Sequence, residues 1–71
     1  MAMSRKHYRE AAGIIRAQFE ELQTLVDGGI APAVTGYARD SVRTIASDLA
    51  IMFKQGNSAF NRQQFMEACG L

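Results

Sequence analysis

The side chains able to do chemistry in this chain are few and stand apart. Cys69 is the only cysteine and His7 the only histidine, and they lie at opposite ends. A nucleophilic thiol needs a nearby base and a lowered pKa. Cys69 sits instead just before Gly70, where a C-terminal helix closes and the negative end of the helix dipole raises a thiol pKa. It reads as a packed thiol behaving as a small hydrophobe. One histidine makes no zinc site, which takes four ligands, so His7 reads as a solvated or partner-facing imidazole. Glu20 and Glu21 are adjacent. On a helix they point about 100° apart and share neither a proton nor a metal. Gly28-Gly29 is followed by Ile30 rather than by Lys-Ser/Thr, so no phosphate loop is present. With no nucleophile–base–orienter set, the expectation is a non-enzymatic protein with no catalytic residue, no cofactor and no metal ligand.

The order of charges near the start carries more. Arg5, Lys6, Arg9 and Arg16 precede Glu20, Glu21 and Asp27, with only Glu10 among the bases. In a helix this runs against the macrodipole, which favours acids first and bases last. Arg5 and Arg9 are also a like-charge i,i+4 pair, and the pairs Lys6–Glu10 and Arg16–Glu20 recover only part of the cost. Two functional readings account for the arrangement. In an antiparallel pairing with a second copy, Arg5, Arg9 and Arg16 meet the acids of the partner. Alternatively, Arg5, Lys6, Arg9 and Arg16, with His7 beside them, form a basic face for nucleic-acid phosphates or an acidic protein. A third reading leaves them as solvated charges, since surface pairs contribute little. Arg39 and Arg43 share a helix face and either extend the phosphate patch or lie on the exposed side of the second helix.

These residues are positioned by three expected helices. Ser4 is a plausible N-cap for a first helix over 4–27. Its apolar positions Tyr8, Ala12, Ile15, Phe19, Leu22 and Val26 step by four and three, a heptad seam offered to a partner. Gly28-Gly29 breaks this helix. Pro32 suits the first turn of a second helix over 32–55, with Gly56 as its left-handed closing residue. That helix carries a wider apolar stripe (Val34, Tyr37, Ala38, Val42, Ile45, Ala46, Leu49, Met52, Phe53), as expected if it packs on both other helices. The third helix, over 62–69, is fully specified. Asn61 is its N-cap and Gln64 completes a capping box; Phe60 and Phe65 make a hydrophobic staple, and Gly70 with Leu71 forms the C-terminal closure. A two-turn helix does not hold itself in water, so it must dock. The turn before it, and the mere Arg62 and two glutamines on it, argue against a helix-turn-helix reader. The expected fold is all-α: two long antiparallel helices with a short capped third helix across their open end.

The chain has 71 residues, 48% of them hydrophobic, and a net charge of +1. That suits one globular domain with a thin stability margin, and with no intramolecular disulfide or metal, oligomerisation is the remedy left. The balanced charge disfavours a strongly electrostatic nucleic-acid binder. The longest uncharged stretch, 28–38, is too short to span a bilayer, and no secretory signal pattern opens the chain. A cytoplasmic setting and no membrane partner follow as expectations. Met1-Ala2 ahead of Met3-Ser4 leaves open whether the natural start is Met1 or Met3.

Arg5-Lys6-His7-Tyr8 at one end, and Asn57, Phe60, Asn61-Arg62, Phe65 and Ala68-Cys69-Gly70 at the other, give the chain a resemblance. It is similar to a group of small uncharacterised helical proteins of bacteriophages and prophages, particularly of actinobacteria. Asn61 stands where that group commonly has Asp, and Ser58 where it commonly has Pro. The resemblance implies a phage origin, and hence the host cytoplasm, and it implies no activity. The functional expectation is therefore a protein–protein interaction module that forms a homodimer or binds a host protein. The alternative is a weak nucleic-acid-associated regulator working through the basic start of the first helix.

Overall fold

The computed structural model describes residues 4–71; Met1–Met3, and with them the choice of natural start, lie outside the described residues. Three helices make up the fold: α1 (Arg5–Asp27), α2 (Pro32–Gly56) and α3 (Arg62–Ala68). No strand occurs among the described residues, and the class is all-α.

The ends of these helices follow from local chemistry. Before α1, Ser4 is extended. Its backbone N–H donates to His7 Nδ1 at 3.1 Å, and its hydroxyl lies 3.3 Å from the same nitrogen. His7 is exposed, but it is not simply solvated: the imidazole takes the acceptor role that Glu or Gln fills in a capping box. At the other end Gly29 adopts φ 106°, and the Gly29 and Ile30 N–H groups donate to Val26 and Leu25 carbonyls at 3.0 Å each. That pattern satisfies the last carbonyls of the helix. Pro32 opens α2 as anticipated. Its C-terminus differs from expectation, because Gly56 stays helical and Asn57, in an extended conformation, ends the helix. No left-handed residue is needed there, since Asn57 supplies the turn: its N–H donates to Phe53 O and its Oδ1 accepts from Ala59 N at 3.0 Å. Lys54 Nζ donates to Ser58 O (2.7 Å) and Phe60 O (3.2 Å), fastening the same turn from the helix side.

At α3, Asn61 Oδ1 accepts from the Gln64 N–H at 3.0 Å. Only this half of the expected capping box forms, and Gln64 is among the residues lining a groove beside α1. The staple is present, with Phe60 and Phe65 ring centroids 5.6 Å apart. Gly70, at φ 90°, closes the helix, with Gly70 N–H on Glu67 O and Leu71 N–H on Met66 O.

Small residues set how closely the long helices approach. Ala12 on α1 and Ala46 and Ala50 on α2 are all but inaccessible, so backbones come together where larger side chains would hold them apart. Around one end of this contact Tyr8, Phe53, Phe60 and Phe65 form an aromatic cluster, with centroid distances of 4.8–5.6 Å. The tilted and edge-on geometries are those that ring quadrupoles favour. Ile15 and Cys69 complete the buried core.

The position of α3 departs from expectation. It does not cap the open end of the long helices but runs alongside both. Its approach begins with Phe60 against Tyr8 (4.8 Å) and ends with Gly70 against the stem of Arg16, where Met66 and Leu71 share a recess with Phe19, Arg39 and Arg43. Arg62 Nη2 donates to Ser47 Oγ at 3.0 Å, a further tie to α2.

Candidate functional site

The heptad seam of α1 points inward. Ala12 and Ile15 are buried, and Tyr8 and Phe19 pack on the core cluster formed with α2 and α3. Leu22 and Val26 are half-buried. The seam offered to a partner is therefore used within the chain, and a dimer built on it would have to open the core. The physical reason is that a heptad seam is satisfied equally well by a neighbouring helix of the same chain.

The apolar surface left over lies elsewhere. Ile14 and Leu25 on α1, and Val34, Tyr37, Ile45 and Met52 on α2, keep between 46% (Leu25) and 83% (Tyr37) of their surface exposed. On α2 the side toward α3 is marked by Arg39, Arg43 and Ser47. At about 100° per residue, Val34, Ile45 and Met52 lie roughly half a turn round the helix from that row. On α1, Arg16 lies against Gly70 of the C-terminal segment. Ile14 and Leu25 are again roughly half a turn away. The long helices thus carry α3 on one face and an uncovered apolar face on the other. This corrects the reading of the wide α2 stripe: part of it packs in the core, and Val34, Tyr37, Ile45 and Met52 are left bare. Ser41 falls within the bare stripe, but its hydroxyl donates to Tyr37 O at 3.0 Å, so its polar demand is met inside the helix. Asp48 is the one charge along the stripe.

The four basic residues of α1 do not form one face. Arg5 and Arg9 line a groove of about 520 Å³ between the start of α1, the Asn57–Asn61 turn and α3, together with Tyr8, Phe60, Gln64 and Phe65. No carboxylate lines it, and neither does Lys6. Asn57 Nδ2 approaches Tyr8 Oη at 3.5 Å at its margin. Arg16 pairs with Glu20 at 3.3 Å, as its spacing suggested. Lys6 and Glu10 form no ion pair among the described residues, where the other pair is Arg43–Asp40 at 3.9 Å. Both pairs are largely exposed and contribute little to stability. Arg39 and Arg43 stand at the C-terminal end of α3, where helix carbonyls favour cations.

Cys69 is fully buried, and burial pushes its thiol above its ordinary value. A protonated, enclosed thiol is a poor nucleophile. Among the described residues no three His, Cys, Asp or Glu side chains gather as a metal site, and no helix is long and apolar enough to cross a membrane. Sequence reasoning missed Asn57 and Lys54 as organisers of the α2–α3 turn. The signal for Asn57 lay in its position after Gly56, since Asn commonly folds its side chain back onto the backbone two residues on.

Comparison with protein-family models, curated proteins and solved structures finds no match to this chain.

Proposed function

We propose that this chain is a non-enzymatic helical interaction module, and that its working surface is the uncovered face of α1 and α2. The observation that carries this reading is the row of large apolar side chains at Ile14, Leu25, Val34, Ile45 and Met52, exposed on the side opposite α3. Apolar patches larger than a few hundred Å² mark contact surfaces. The long helices are read as an antiparallel pair, with Tyr8 near the start of α1 beside Phe53 near the end of α2. The resemblance at the two ends of the chain supports a phage or prophage origin, with partners in the host cytoplasm. The face is tested with dilute protein and an anilinonaphthalene sulfonate probe, which fluoresces on apolar surface. Wild type is expected to bind the probe and Ile45→Lys/Met52→Lys to lose it with unchanged helix content. Equal fluorescence from both would remove the reading.

A second reading rests on the Arg5–Arg9 groove. Two guanidinium groups with no carboxylate in the lining suit an anionic partner such as the phosphates of a nucleic acid. It requires salt-sensitive binding that an Arg5/Lys6/Arg9 triple-alanine variant loses. Unchanged binding by that variant would exclude it.

A further inference from the structure

We infer that the occupant of the uncovered face is a second copy of this chain, docked antiparallel about a two-fold axis level with Arg43. This rests on the reading of that face as the working surface and names its partner. A two-fold interface must be self-complementary, each residue meeting the one equally far on the other side of the axis. The bare stripe of α2 has that property. Val34 and Met52 stand nine residues to either side of Arg43, and Ser41 and Ile45 two to either side. Antiparallel docking therefore sets Val34 on the other copy's Met52, and Ser41, already satisfied internally, beside the other copy's Ile45. The single charge of the stripe is accommodated by the same register. Tyr37 stands six residues before Arg43 and Asp48 five after it, on the same flank of the helix. In antiparallel pairs like flanks meet, so each exposed Tyr37 hydroxyl comes within reach of the other copy's Asp48 carboxylate.

The long helix α1 fits the same axis. Tyr8 packs on Phe53 at 5.0 Å, which in an antiparallel pair of long helices sets Gln18 level with Arg43. Ile14 and Leu22 lie four residues to either side of Gln18, and Ala11 and Leu25 seven. Ile14 and Leu25 lie on the flank of α1 facing away from α3, and Ala11 and Leu22 are half-buried at its edge toward the core. Docking then stacks two helix pairs as a four-helix layer, with α3 outside on each copy.

The area agrees with a reversible dimer. Val34 to Met52 spans about 27 Å at 1.5 Å per residue. The molecule is 19 Å across. The face is then about 500 Å² on each copy and about 1,000 Å² in the pair, the lower edge of specific interfaces. The dimer should therefore form with concentration rather than persist on dilution.

The test is sedimentation equilibrium of the full chain from micromolar to near-millimolar concentration, with Ile45→Lys and a cysteine cross-linking pair in a Cys69→Ala background. The expected mass climbs from 7.8 kDa toward twice that value. Ile45→Lys should stay at one chain throughout, and its unchanged urea midpoint would show that the fold is intact. Val34→Cys and Met52→Cys chains, mixed and oxidised, should cross-link to each other at least tenfold more than either does to itself. A single-chain mass at every concentration overturns the self-pairing, as does a dimer indifferent to Ile45→Lys, or Val34→Cys linking mainly to itself. If the mass never rises yet wild type alone binds the apolar probe, the face remains an interaction surface for another protein and only the second copy is ruled out. If the probe also fails to distinguish wild type from the double-lysine variant, both readings fall.

Discussion

Replacing Phe65 by alanine should remove most of the stability of this fold. Phe65 keeps only 4% of its surface exposed. It meets Phe53 edge-on at 5.4 Å and Phe60 at 5.6 Å, so it joins α2 to the staple that holds α3. Truncating a buried phenylalanine costs about 3–5 kcal/mol through lost transfer energy and the cavity left behind. A domain of 71 residues has in all about 4–10 kcal/mol to lose. With a urea slope of about 1 kcal/mol per molar for so small a chain, the midpoint should fall by about 3 M or more. Circular dichroism at 222 nm through a urea titration reads this directly. If Phe65→Ala is already unfolded in water, Phe65→Leu keeps the argument measurable, since a volume-sparing apolar exchange should cost under about 1.5 kcal/mol. Tyr37→Ala is the control. It removes a ring of similar size from the most exposed apolar position and should move dilute protein by no more than about 0.5 kcal/mol. A Phe65→Ala midpoint within about 1 M of wild type, or equal to that of Tyr37→Ala, would refute the account of the core.

Other expectations follow from the same geometry. Gly70 has φ 90°, so Gly70→Ala should cost about 1 kcal/mol or more. Gly13 is helical, and a methyl group on its Cα would meet open space, so Gly13→Ala should gain about 0.5–1 kcal/mol; thermal melts of the two variants should move in opposite directions. Asn57→Ala loses the bond to Ala59 N–H and should cost about 1 kcal/mol in a urea titration, with Ser58→Ala as an unaffected control. The buried Cys69 thiol should react with a thiol-exchange reagent only as fast as the fold opens, and at once in denaturing urea. Because its folded pKa is raised, its contribution to stability is whole below the ordinary value of 9.0 and is lost as pH rises through the folded value. Between pH 8 and pH 10 the urea midpoint should therefore fall further in wild type than in Cys69→Ala.

What could be read from sequence was decided locally. The Asn61 cap, the Phe60–Phe65 staple and the Gly70 closure depend on residues within one or two turns of each other, and all three are present. The two misread details at helix ends, Gly56 and Gln64, are cases where a neighbour competed. Asn57 took over the end of α2, and Gln64 lines the groove beside Arg5 and Arg9 instead of closing the box. The disposition of the apolar faces was less legible. Periodicity shows that α2 has a wide stripe, but which part is covered depends on where α3 lies, and that is set by contacts from Phe60, Phe65 and Met66 far along the chain. For the same reason the α1 seam looked free: its spacing is the same whether it meets a copy or its own α2. The basic residues were legible as an excess near the start. Their division between the groove and the Glu20 pair was not, because the Asn57–Asn61 turn forms one wall of that groove.

The central claim, that this protein meets a second copy of itself through the face opposite α3, is tested most directly by backbone amide resonances. Two-dimensional ¹⁵N spectra of the wild-type chain would be recorded as concentration is raised about a hundredfold. Progressive shifts are expected at Ile14, Leu25, Ala38, Ile45 and Met52, with Arg5, Arg9 and Arg62 unmoved. Shifts centred on the Arg5–Arg9 groove, or none at any concentration, would contradict the claim.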